Sequence, residues 1–164
     1  MAIEYTDPLQ SFRFRFFIQL GSGKPVSAAF SSFSGIRMKV ETISHRDGDD
    51  MRGVQPGVPV LTRFQPVTLS KGVIGDNELL EWLLAASAGY ETGPTGKDLK
   101  RDIDVIAVND MGEDAVTWTL KNAMPIGYEM SPMDGSRSEV LMESVTFYIE
   151  GMRRTVQSTS RDKE

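Results

Sequence analysis

The chain has 164 residues, enough for one domain with its own core, and its 40% hydrophobic and 25% charged residues exclude global disorder. A net charge of −5 argues against a nucleic-acid binder that works by neutralising phosphates with a basic face. The lack of cysteine excludes disulfide frameworks and thiolate metal sites.

Residues 1–8 read as an N-terminal arm. They lack the basic patch and apolar run of a signal peptide, and no apolar stretch approaches the roughly 20 residues of a membrane span. The expectation is a protein made in the cytoplasm and kept soluble there. The first strand is predicted over 12–20, with Phe12, Phe14, Phe16, Ile18 and Leu20 facing a core and Arg13, Arg15, Phe17 and Gln19 facing away. Gly21-Ser22-Gly23-Lys24-Pro25 is a turn. It is no phosphate loop, because Pro25 stands where that motif needs Ser or Thr. A weaker strand is expected over 26–33.

The stretch 36–45 alternates Ile36, Met38, Val40 and Thr42 with Arg37, Lys39 and Glu41. Side chains alternate across a strand, so this spacing predicts one dry face and one charged face. Residues 46–59 have no period and form a long loop. Asp47-Gly48-Asp49-Asp50 fails the EF-hand pattern, since Arg52 and Val58 occupy the sixth and twelfth positions. His45 is the single histidine, which removes the usual zinc sets, and no Gly-x-Ser-x-Gly elbow accompanies it. No nucleophile with a base is evident, so an enzyme is not expected.

Short strands follow over 60–64 and 67–73, with Pro66 suited to an edge or bulge. One helix is predicted, capped by Asp76, ended by Gly89 and apolar over most of its surface, so it should be covered on two sides. Further strands are expected over 101–108, 115–120, 126–130 and, as one long strand, 138–150. Residues 152–164 read as a mobile polar tail. About seven strands with few helical crossovers predict a mainly β fold with one flanking helix, a small antiparallel barrel or sandwich. Its long unpaired strand edges are a hazard unless copies of the chain cover them.

Several blocks then carry a resemblance: Ser34-Gly35-Ile36 leading to Val40-Glu41, Gly57-Val58-Pro59, Val67-Thr68-Leu69-Ser70-Lys71-Gly72, Asp76-Asn77-Glu78-Leu79, Lys121-Asn122-Ala123-Met124-Pro125, and Ser138-Glu139-Val140 with Glu143 and Glu150-Gly151. In order and spacing they resemble the tail tube proteins of contractile phage tails and related injection systems. Met124 departs from the tryptophan that many relatives carry before the proline.

The resemblance implies a structural subunit forming hexameric rings that stack into a hollow tube, which is driven through a target envelope. It implies partners in itself, a sheath protein, and baseplate or tube-initiator and terminator proteins. Cargo, a protein effector or DNA, would pass without stable nucleic-acid binding, and membrane contact would occur only during puncture. No cofactor is implied, and the subunit would belong to a phage tail or injection particle, including one released from the cell. A tube initiator of the same machine and a small-ligand β-barrel are the alternatives. Mapped onto this chain, Arg37, Lys39, Glu41, Glu139 and Glu143 are lumen or ring-contact candidates. Arg46, Asp47, Asp49, Asp50 and Arg52 are ring-stacking candidates on the 46–59 inter-subunit loop.

Overall fold

Strand β8 (Asp114–Met130) is 17 residues long and belongs to both halves of the fold. The computed structural model describes residues 8–19, 25–26, 30–44, 57–73, 77–88 and 99–157. The first half of β8 lies between β7 (Arg101–Val108) and β10 (Gly151–Val156), both antiparallel to it. Its second half pairs with β9 (Met142–Tyr148). Strands β9 and β10 therefore follow β8 in turn, joined at the buried Ile149 and by the Glu150 N–H donating to the Lys121 carbonyl at 3.1 Å.

The change of partner happens at Asn122, which holds φ of 52°. Asparagine tolerates this left-handed geometry better than most residues. Asp102 fixes it: one carboxylate oxygen accepts the Asn122 backbone N–H at 3.1 Å and the other accepts Lys121 Nζ at 2.7 Å. Glu150, in the bend between β9 and β10, accepts the Asn122 side-chain amide at 3.0 Å.

On the first half, β1 (Phe14–Gln19) pairs with β7, setting Phe16 opposite Val105 and Ile18 opposite Ile103, and β2 (Pro25–Val26) adds an edge. On the second half, β6 (Val67–Gly72) pairs with β9, setting Val67 opposite Phe147 and Leu69 opposite Val145, and β3 (Ser32–Phe33) forms that edge. The period-2 pattern does the work: Val67, Leu69, Val145 and Phe147 face Phe16, Ile18, Ile103 and Leu120 in one apolar core. Helix α1 (Glu78–Ala88) closes the core with buried Leu79 and Trp82. The Trp82 indole donates to the Leu99 carbonyl at 2.8 Å and its ring lies 5.4 Å from that of Phe147.

The mainly β, antiparallel, single-helix architecture agrees with the sequence reading. Several details differ. Phe12, expected in the core, is 69% exposed, because β1 begins only at Phe14. The helix buries one side only, with Leu84 exposed. The expected strands 115–120 and 126–130 are one strand. The expected long strand starts at Met142 instead of Ser138, since the 131–141 loop precedes it, tied off by Ser131, which exchanges hydrogen bonds with Met142. The polar tail does not begin at Met152, because β10 ladders against β8 through Val156. Asp76 and Gly89 lie outside the described residues.

Asp102 also makes the joint sensitive to acid. Burial works to raise its pKa, but Lys121 and the Asn122 N–H outweigh it and hold the carboxyl below the ordinary value. A group with a depressed folded pKa stabilises the fold above its unfolded value, about 3.9, and that contribution fades as pH falls through the folded value. Asp102→Asn should therefore be less stable than the parent at pH 7 and lose stability less steeply below about pH 4. Urea titrations across this range check it, and parallel acid slopes would refute it.

Candidate assembly surfaces

Strands β4 (Met38–Ser44) and β5 (Gly57–Phe64) pair only with each other among the described residues. Their register, Met38 opposite Phe64 and Glu41 opposite Leu61, continues that of β3 and β6. Across the joint the Gln65 N–H donates to the Arg37 carbonyl and the Ser34 N–H to the Thr68 carbonyl, each at 3.0 Å. Gly35, at φ of 85°, and Pro66, which has no N–H, mark where the ribbon leaves the larger sheet. A bulge between Glu41 and Thr42 leaves Val60 unpaired.

The expected dry face of β4 is not dry within one chain. Met38 is 55% exposed and Val40 43%, and Ile43, on the charged side, and Val58, Val60 and Leu61 of β5 are exposed as well. The alternation was sound, but nothing in the chain covers it. An isolated two-stranded ribbon is marginal in water, so this one lacks a partner surface. Arg37, Lys39 and Glu41 all lie here, and Glu41 pairs with Arg63 at 3.1 Å.

The larger sheet offers a different surface. On the side of β6 and β9 away from the core, the Thr68 and Thr146 hydroxyls meet at 3.1 Å and those of Ser70 and Ser144 at 2.8 Å. Gly127 and Glu129 of β8 continue these two rows. Its four hydroxyls are satisfied by one another. On the core side Lys71 stands opposite Glu143, with Nζ to Oε1 of 3.3 Å and side chains only 3% and 11% exposed. Tyr128 donates its hydroxyl to the other oxygen of Glu143 at 3.0 Å. Burial and this carboxylate push the Tyr128 phenol pKa up.

Glu143, expected among outward charges, is thus turned inward as a partner to Lys71, while Glu139 lies exposed in the 131–141 loop. The five charge candidates do not form one group. Arg46, Asp47, Asp49, Asp50, Arg52 and His45 lie outside the described residues. Sequence reasoning missed the Lys71–Glu143 pair, although Lys71 shares the parity of Val67 and Leu69, which was the available signal.

Several strands have one described ladder partner only, β2, β10 and β5 among them, and two such margins flank the half-sheet of β6 and β9. Pairing of β7 with β8 stops at Arg101 opposite Ala123, so the 124–130 part of β8 has β9 as its one described ladder partner. Strands β3 and β4 likewise have one partner each. Among the described residues no group of three or more His, Asp or Glu side chains is placed to hold a metal ion, and no helix is long and apolar enough to cross a membrane.

Residues 10–153 match the family of T4-like virus tail tube protein gp19. The chain belongs to this tail tube family. Its family and structural neighbours are structural tube proteins. The tail tube chain superposes with a TM-score of 0.74 on a subunit of an extracellular contractile injection system, the PVC sheath–tube complex in its extended state, at 26% identity over 94% of this chain and 95% of that one. It matches a chain of the anti-feeding prophage baseplate, 6-fold symmetrised, at TM-score 0.77 and 21% identity, over 93% of this chain and 98% of that one. Hcp1 from Flavobacterium johnsoniae shares the fold at TM-score 0.55 and 16% identity, over 89% and 97% of the two chains. No curated protein sequence matches the chain.

The buried pair supplies a test of this sheet. Removing one member leaves the other charge desolvated, at a cost of about 3–5 kcal/mol, whereas apolar replacement of both is often near neutral. Glu143→Leu should destabilise strongly in chemical denaturation, and adding Lys71→Met should recover most of the loss. If the single change were neutral, the pair would not be desolvated as described.

Proposed function

We propose that this tail tube subunit completes its open margins with copies of itself, as hexameric rings stacked into the hollow inner tube of a contractile injection machine. The observation that carries the reading is the pair of one-sided ladders, β3 with β4 at one margin and the 124–130 stretch of β8 at the other. Unpaired edges template further strands. Unlike edges of identical subunits form heterologous contacts, which close into a ring when the rotation allows. A relative in a structure with 6-fold symmetry supports six as the number.

In this arrangement β3, β6, β9 and the second half of β8 build the wall, and the β4–β5 ribbon extends it. The hydroxyl face of Thr68, Ser70, Ser144 and Thr146 lines the lumen. Mutually bonded hydroxyls offer passing cargo few free donors, which suits a conduit that conducts protein or DNA without holding it. Arg37, Lys39 and Glu41 on the ribbon and Glu139 on the loop are ring contacts. The expected 46–59 loop ends earlier, because β5 begins at Gly57, and its residues Arg46, Asp47, Asp49, Asp50 and Arg52 are ring-stacking contacts in this reading. Glu143 serves the wall by neutralising Lys71.

The tube acts mechanically. Ladder hydrogen bonds, each worth about 1 kcal/mol net, and obligate interfaces of roughly 2,000 Å² or more make the wall stiff enough to transmit force. Partners are the sheath outside and the baseplate and terminator proteins at the ends, consistent with relatives from a sheath–tube complex and a tube terminating cap. The subunit is made in the cytoplasm and contacts a membrane only as the tube pierces one. No separate observation favours the tube-initiator alternative.

Light scattering and negative-stain microscopy of the purified chain should show rings of six times the monomer mass, or tubes of whole multiples of that mass. A stable monomer at high concentration would sink this reading.

A further inference from the structure

Two neighbouring segments cross from one half-sheet to the other side by side. On the half-sheet of β6 and β9 the last ladder pair is Met124 opposite Tyr148, and on the half-sheet of β7 and β10 the nearest pair is Lys121 opposite Gly151. Only Asn122 and Ala123 on β8, and Ile149 and Glu150 between β9 and β10, lie in the gap. Ala123 and Ile149 are buried in the core, at 0% and 1% exposed. The half-sheets therefore meet along a hinge line two residues wide.

Polar side chains lock that line from its exposed side. Strand β7 is irregular between Arg101 and Ile103, and such a break re-aims the side chain within it. That side chain is Asp102, which accepts the Asn122 N–H at 3.1 Å and Lys121 Nζ at 2.7 Å. Glu150 accepts the Asn122 side-chain amide with one oxygen, at 3.0 Å, and Lys100 Nζ with the other. Its own N–H donates to the Lys121 carbonyl at 3.1 Å. Apolar burial has no direction and tolerates a change of angle, whereas hydrogen bonds weaken steeply as they bend. The clamp, more than the core, holds the angle. Glycine alone would meet the left-handed φ at 122, so what asparagine adds is the amide that Glu150 accepts.

What the angle controls lies just beyond. The 124–130 stretch begins two residues after Asn122, and its free edge is the margin to which the next copy adds in the ring reading above. Closure asks for a rotation of about 60° per copy in a ring of six and about 51° in a ring of seven. Roughly 9° of swing at the hinge is thus enough to change the count. We propose that Asn122 and Glu150 are positioning residues that set the rotation between neighbouring copies and so fix the ring at six. The inference rests on the ring reading and adds the device that determines where the ring closes.

Native mass spectrometry and electron microscopy of purified rings test it. The parent should give six copies alone. Asn122→Gly keeps the backbone conformation but removes the amide, and Glu150→Ala removes the acceptor; each should give rings of mixed copy number or open arcs. Glu150→Gln keeps an acceptor oxygen and should return closed rings of six. Ile18→Val, a buried change on β1 away from the hinge, should lower the denaturation midpoint and still give six. Six copies alone from Asn122→Gly would overturn the proposal. So would mixed rings from Ile18→Val, which would trace the spread to lost stability. Folded monomers from Asn122→Gly would overturn it as well, since the margin itself is intact in that variant. If circular dichroism shows Glu150→Ala unfolded, Asn122→Gly decides alone. Absence of rings in the parent would instead overturn the tube reading.

Discussion

Strand β8 outruns its first partner, and the rest of the molecule follows from how that is resolved. With β7 ending opposite Ala123, the backbone groups of the next seven residues need another ladder. The kink at Asn122, held by Asp102 from one side and Glu150 from the other, passes β8 to β9 and so places the second half-sheet over the first. The core is the space between these halves. The same handover leaves one edge of the 124–130 stretch without a described partner, so the device that builds the monomer also creates a margin for assembly.

The polar side chains divide by location. Facing the core, Lys71 and Glu143 are charged but matched, and Tyr128 takes up a second carboxylate oxygen. Facing away, the same two strands show the Thr68, Ser70, Ser144 and Thr146 hydroxyls bonded across the ladder, with Met142 and Tyr148 at the ends of β9. One pair of strands thus presents a desolvated ion pair to the core and a neutral surface to the outside. The outer side of the β1–β7–β8 half is different again, with Arg15, Asp104 and Lys121 among its half-buried and exposed residues and bonds from Thr119 to Asp104 and from Lys121 to Asp102.

The ribbon shows how a sound pattern can describe an assembly better than a monomer. Met38 and Val40 alternate with Lys39 and Glu41 as a half-buried strand should, yet both faces are open in the single chain. Nothing among the described residues of the chain covers that apolar face.

Much of the fold was legible because period-2 alternation depends on local geometry alone: Phe14, Phe16 and Ile18, or Val67 and Leu69, announce their inward faces without reference to any neighbour. The resemblance in blocks such as Val67 to Gly72 and Lys121 to Pro125 was likewise readable, and it led to the tail tube family. Continuity across Asn122, the late start of β9 after the 131–141 loop and the docking of β10 were not readable, since each depends on which distant strand supplies the ladder. The inward turn of Glu143 toward Lys71 has the same origin, 72 positions apart in sequence but opposite in register. Sequence by itself determined which residues alternate and the family to which they belong; only the tertiary structure decided which strands meet, because pairing is a long-range choice that no local period encodes.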